Sequence, residues 1–327
     1  MSVLCSGSYV ADIIIPGLKN IGPPGSLTYA PKGIQLSAGG HSANVAMDLV
    51  QLGRENIHSV GCVGDDYMGE FLVDALKKSG VDVHPEIKRG SSTAKNVALI
   101  VEGEDRRYIA ELTANSLLSP NHVISHLTLI KPKFLYLGTI GGLKFVDKEL
   151  DMIIEAATKI GALNLVDPIM PTDDWSHLDH VYPLIDVLHC NFTEARDLTT
   201  CEDIIEAVKQ ISRKGVKLTL VSDGARGVVA KTDNAIVKMP AFKVEEIDPT
   251  GAGDALCAGV INALMSENIK RINQINLDDL LKIILEGQAA GAACVTGVGA
   301  STNVNSALQK SLIAEQGRGI IKNTIIV

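Results

Sequence analysis

The sequence predicts an α/β fold, a mostly parallel sheet with helices on both faces. Three observations carry this. Strand-like and helix-like apolar runs alternate along most of the 327 residues. The later apolar strands end repeatedly in small or polar residues, as at the ligand-binding edge of open α/β sheets. Two segments break the rhythm, at 11–37 and 93–112, and read as a small separate sheet, a lid.

In order, a first strand is expected near 3–7. Residues 11–37 follow, with four prolines and four glycines among short β-like pieces. Residues 41–52 read as a helix stopped by Gly53, 57–63 as a strand, and 66–78 as an amphipathic helix with Asp65 as N-cap and Gly80 near the C-cap. Ala94–Val101 and Arg106–Leu112 form a hairpin around a turn at 102–105. Strands then follow at 134–137, 163–166, 187–190 and 217–221, the last three placing Asp167, Asn191 and Ser222 at one sheet edge. The length allows one large domain with an appendage or two domains.

At 46% hydrophobic and 21% charged, the chain has ample core material. Its net charge of −8 gives no basic footprint for nucleic acid. Six cysteines without CxxC spacing read as reduced thiols. No basic, apolar leader and no membrane-length apolar run is visible, so a cytoplasmic location is expected.

The chemistry concentrates in Asp248-Pro249-Thr250-Gly251-Ala252-Gly253-Asp254, which runs straight into an apolar helix. The amides of Gly251, Ala252 and Gly253 sit at a helix N-terminus, where unpaired N–H groups and the dipole attract anions. Asp254 in the same turn suits a general base. The bland reading is a Gly-rich turn capped by Asp254. Gly39 and Gly40 open the first helix, with Asn44 one turn in, able to bind a polyol hydroxyl. His41 reads equally as a substrate contact or a surface residue. Asn191 and Glu194 place two oxygen ligands at a strand–helix junction, fit for hydrated Mg²⁺ or for helix capping. Asp12 follows an apolar strand and reads as a turn residue or a sugar acceptor. Trp175 reads as packing. Neither a Walker sequence nor a G-x-G-x-x-G turn is present, which disfavours a P-loop NTPase and a Rossmann dehydrogenase.

Together these residues resemble the ribokinase (PfkB) family of carbohydrate kinases. Two separated motifs match: Gly39-Gly40, Asn44, Gly53 and Val63-Gly64-Asp65-Asp66 with Gly69, then Asp248 to Asp254. The resemblance implies a single ribokinase-like domain over 1–327, a three-layer α/β/α sandwich with a β-sheet lid formed by about 11–37 and 93–112. It implies transfer of the ATP γ-phosphoryl group to a hydroxymethyl group of a monosaccharide or related polyol. Asp254 would be the base, and Gly251, Ala252 and Gly253 the anion hole. Asp12, Gly39, Gly40, His41 and Asn44 would bind sugar. Asn191, Ser222, Gly224, Gly251 and Gly253 would contact ATP. Glu194 with Asn191 would organise Mg²⁺, and Asp248 and Thr250 fall where some members bind K⁺. Lid residues imply a homodimer.

Four positions depart from ribokinase itself. Val10 stands where ribokinases carry a sugar-binding Asn, and His41 replaces a Lys. No Glu follows the strand ending at Gly138-Thr139, and Asp223 takes a usual Leu position. The first three weaken ribose as acceptor. A nucleoside or pseudouridine kinase is the alternative. A sugar-phosphate kinase would need a basic lid residue, for which Lys95 is the candidate. A binding protein without catalysis and an NAD-dependent oxidoreductase are the readings from other classes.

Overall fold

The computed structural model describes residues 1–104, 107–171 and 174–327. Fourteen strands are found among them: β1 Val3–Ser6, β2 Val10–Leu18, β3 Gln35–Gly39, β4 Ile57–Gly64, β5 Asp82–Lys88, β6 Lys95–Val101, β7 Arg107–Glu111, β8 Phe134–Ile140, β9 Leu163–Pro168, β10 Val187–Asn191, β11 Leu218–Ser222, β12 Val228–Lys231, β13 Ile236–Met239 and β14 Ile325–Ile326. The α-helices are α1 His41–Gln51, α2 Tyr67–Lys78, α3 Pro120–Ile130, α4 Lys144–Lys148, α5 Leu150–Lys159, α6 Phe192–Thr199, α7 Ile204–Arg213, α8 Ala252–Ser266, α9 Leu277–Cys294 and α10 Ser306–Lys322.

The main sheet has the order β14-β13-β12-β11-β10-β9-β8-β1-β4-β5. It is parallel from β5 to β11 and antiparallel from β11 to β14. The antiparallel edge was not read from the sequence, because its strands are short and lack a strong hairpin turn. Side-chain alternation splits the core over the two faces. Val3, Cys5 and Tyr136 join one apolar cluster with α1, α8 and α9; Leu4, Leu135 and Leu137 join the other with α3, α5 and α7. The result is the expected three-layer α/β/α architecture.

The lid is a second sheet, ordered β3-β2-β6-β7. β2 pairs antiparallel with β3 and parallel with β6, and β6 pairs antiparallel with β7. The hairpin is therefore present, while residue 105 of its turn and Arg106 lie outside the described residues.

One cap differs from expectation. Asp66, not Asp65, caps α2, accepting from Gly69 N at 2.9 Å and from Thr93 N at 2.8 Å. Asp65 instead accepts from Gly90 N at 2.9 Å. The two neighbouring acids share the work of holding the α2 start against the approach to β6.

Among the described residues, no helix is long and apolar enough to cross a membrane.

Candidate active site

The parallel strands deliver their C-terminal ends to one edge, and α1 and α8 start there. α8 begins at Gly251, whose φ of 80° is left-handed and suits glycine. A Cβ on Gly251 would also overlap the Ala300 carbonyl oxygen. The amides of Gly251 and Gly253 have no hydrogen-bond partner among the described residues, whereas Ala252 N–H reaches Pro249 O at 3.3 Å. The expected three-amide hole is thus two free amides and one partly engaged in the turn.

α1 begins at Gly40, with φ 96° and no side-chain cap. Ser8, from the β1–β2 turn, serves instead: His41 N donates to its Oγ at 3.1 Å, and Ser42 Oγ donates to its carbonyl at 3.0 Å. This sets the helix so that His41 and Asn44 face α8. Asn44 Nδ2 donates to Asp254 Oδ2 at 2.8 Å. Asn44 Oδ1 is buried and has no hydrogen-bond partner among the described residues.

Asp254 lies within a cluster that also holds Asp167, His41, Tyr136 and His189. Tyr136 OH donates to Asp167 Oδ2 at 2.7 Å and stands 3.4 Å from Asp254 Oδ1. His41 Nδ1 is 3.5 Å from Asp167 Oδ2 and 3.6 Å from Asp254 Oδ1. His189 Nδ1 pairs with Asp167 Oδ1 at 2.8 Å, and its Nε2 meets Ser222 Oγ at 3.1 Å. Gly138 makes this possible, since a Cβ there would collide with His41 Cβ and Tyr136 OH.

The electrostatics follow from this packing. Burial raises Asp254 above the usual carboxylate range; the His41 charge opposes that and Asp167 adds to it. Burial also works against ionised Asp167, yet His189 and then His41 hold it well below its ordinary value. Burial would lower His41, but Asp254 and Asp167 outweigh it and raise the imidazole to about 10. The site therefore contains one stable carboxylate, two histidines whose cationic form the carboxylates favour, and one carboxyl group poised to accept a proton.

Beside it lies a polar pair from the lid. Asp12 of β2 accepts from Asn96 Nδ2 at 3.0 Å, because β2 and β6 pair Asp12 with Asn96 in register. Burial pushes Asp12 up to about 6, partly offset by the Asn96 bond. Gly39 must lack a Cβ here, as one would overlap Asp12 Oδ2. Lys95 is already engaged: it donates to Ser92 Oγ at 2.6 Å and to Thr93 O at 3.1 Å and pairs with the Glu111 carboxylate.

On the other side of the α8 start, a cleft is walled by Val228, Phe242, Val244, Leu256 and Ala292 and opens at Ser222, Gly224 and Gly253. A polar groove with Asn191, Arg196, Asp223 and Arg226 adjoins it, sharing Ser222 and Gly224. Asp223 is held by Arg226 through two bonds of 2.6 Å. Asn191 and Glu194 form a reciprocal capping box on α6, which starts at Phe192. Glu194 Oε2 accepts from Asn191 N at 2.8 Å, and burial raises the carboxyl. Asp248 ties its loop together, accepting from Thr250 N and Oγ1 at 3.0 and 2.6 Å and from Gly299 N at 2.9 Å. Tyr108 OH of the lid meets Thr250 Oγ1 at 3.1 Å. Trp175 packs on the second apolar cluster and donates to Asp197 Oδ2 at 2.7 Å.

No motif in the sequence alone marks Tyr136, Asn96 or His189 as site residues, and Asp167 has a place at the sheet edge but no role. A lone His or Tyr inside an apolar strand, with an acid ending the neighbouring strand, is the signal that was present.

A family model described as pfkB family carbohydrate kinase matches residues 1–307. The chain is 28% identical over 306 residues to the ribokinase of Haemophilus influenzae, covering 91% of this chain and 93% of that protein. It is 26% identical over 288 residues to the fructokinase of Klebsiella pneumoniae, covering 84% and 91%. The crystal structure of aminoimidazole riboside kinase from Salmonella enterica, complexed with aminoimidazole riboside and an ATP analog, superposes with a TM-score of 0.76 at 22% identity, covering 96% of this chain and all of that one.

Proposed function

This chain belongs to the pfkB family of carbohydrate kinases, and we propose that it transfers the γ-phosphoryl group of ATP to a hydroxymethyl group of an unphosphorylated monosaccharide. The observation that carries this reading is Asp254: a buried carboxyl, raised in proton affinity, in the first turn of α8 beside the free Gly251 and Gly253 amides.

In the proposed step, the acceptor hydroxyl oxygen attacks the γ-phosphorus and the bond to the ADP oxygen breaks. Asp254 takes the hydroxyl proton. Gly251, Gly253 and the α8 dipole stabilise charge on the transferring group, since this chemistry needs positioning and electrostatics more than covalent help. Asn44 orients Asp254 through Oδ2 and offers its free Oδ1 to the sugar. Asp12, Asn96, Gly39 and Gly40 line the sugar side, with His41 supplying positive charge between sugar and phosphate. The apolar cleft takes the adenine face, with Ser222, Gly224 and Asn191 along the phosphates.

Glu194 fits Mg²⁺, which would shield the phosphates. Its capping bond uses one carboxylate oxygen and leaves the other for a hydrated ion. Potassium at Asp248 and Thr250 would have to share oxygens already committed to the loop. The exposed lid side chains Ile34, Leu36 and Ile109 support a homodimer through this sheet.

The engagement of Lys95 with Glu111 favours a neutral sugar over a sugar phosphate. Tyr108 beside Thr250 gives a nucleoside acceptor its second place, as a surface for a base. ADP release from MgATP across monosaccharides, sugar phosphates and nucleosides tests the reading. Turnover with a free sugar is expected; ATP binding without turnover on any acceptor would sink it.

A further inference from the structure

Four of the eight histidines gather far along the main sheet, at its β5 edge. His58 lies at the start of β4, His84 at the start of β5, and His122 and His126 on α3. The strand starts form the end of the sheet opposite the kinase site. The parallel register sets His58 directly beside Asp82, and His84 follows two residues on, so all three side chains share one face.

Their ligand atoms converge. His58 Nδ1 is 3.2 Å from His84 Nε2 and 3.1 Å from Asp82 Oδ2, and His84 Nε2 is 3.7 Å from the same oxygen. Zinc bonds of about 2.0–2.2 Å in a tetrahedron place ligand atoms about 3.3–3.6 Å apart, which this triangle nearly matches. One proton between His58 and a neighbour can serve only one edge of the triangle, whereas a central cation serves all three lone pairs. The two imidazoles are half-buried and Asp82 is exposed, so a fourth position faces solvent.

We propose that His58, Asp82 and His84 form a zinc site that staples the edge strand β5 to β4. Two imidazole nitrogens and one carboxylate with an open position suit zinc, whereas Mg²⁺ and Ca²⁺ prefer all-oxygen sets. The α3 histidines form the wall of the site. His126 packs its ring 4.7 Å from that of His84, and His122 Nε2 lies 3.1 Å from the His84 carbonyl. The staple would hold the edge strand β5 on its neighbour.

The test is calorimetric titration of the chelator-stripped, tag-free full chain with Zn²⁺ in excess Mg²⁺. One equivalent is expected, weakened at least 100-fold in His58→Ala and in His84→Ala, and at least 10-fold in Asp82→Asn, a surface change that leaves folding intact. Co²⁺ should give a tetrahedral visible spectrum, lost in the same variants. The Asp167→Asn chain, which breaks both other His- and Asp-containing clusters, should bind zinc unchanged under conditions where circular dichroism shows it folded. Two results would overturn the proposal: no zinc binding below millimolar concentration, or one-equivalent binding that survives in the His58→Ala/His84→Ala double variant.

Discussion

Asn44 and Asp254, 210 residues apart, are joined by a 2.8 Å hydrogen bond from the Asn44 amide to the Asp254 carboxylate. Each belongs to a different helix start, so the bond welds the sugar-facing and phosphate-facing motifs into one site. It fixes one Asp254 oxygen and leaves the other beside His41 and Tyr136.

Asp254→Asn should abolish turnover while sparing ligands. Loss of a general base costs about 10²–10⁴-fold in rate. Steady-state kcat is expected to fall at least that far, with sugar and ATP affinities within a few-fold by calorimetry. Near-normal turnover would remove Asp254 from the role of base.

His41→Gln should move the acid limb of kcat/KM. Burial raises Asp254 and the His41 cation opposes that rise. Activity needs the ionised carboxylate, so it falls as pH drops through the Asp254 value. Without the cation that value rises further, and the limb shifts to higher pH. The alkaline limb from His41 itself, at about 10 in the native chain, should disappear. An acid limb that stays in place would show that His41 does not act on Asp254.

Asp167→Asn should destabilise the fold in a pH-dependent way. Asp167 is depressed by its partners, so its contribution is present above the ordinary Asp value of about 3.9 and lost as pH falls below it. His189 is raised, with burial opposing and Asp167 favouring the cation. Its contribution is complete below about 6.5 and lost as pH rises through the folded value. Breaking a buried pair costs about 3–5 kcal/mol. The difference in unfolding free energy between native and variant chains should therefore be largest between about pH 4 and 6.5, and shrink above it. A gap that does not vary with pH would count against the ion pair.

Two substitutions should separate the pockets. Gly39→Ala puts a methyl group onto Asp12 Oδ2 and should raise the sugar KM at least tenfold with ATP KM unchanged. Ala292→Leu fills the apolar cleft and should do the reverse. Parallel changes in both constants from either variant would merge the two pockets.

Much of this molecule is local and therefore legible in the chain. Alternating apolar runs specify strands and helices, and the glycines at 39, 40, 251 and 253 mark two helix starts. Asp12, Asn44 and Asp254 could be named because each sits inside or beside such a start or strand end. Asp167, Tyr136 and His189 come from three strands distant in sequence, and only the order β8-β9-β10 sets them in contact. Asn96 acquires its partner from the parallel β2–β6 register, which no periodicity reveals. The charge on His41 has the same origin: next to solvent it would titrate as an ordinary imidazole, and between two buried carboxyls it stays a cation. Sequence determined which groups are available at each strand and helix end; tertiary structure decided which of them share a low-dielectric space, and so which hold their protons.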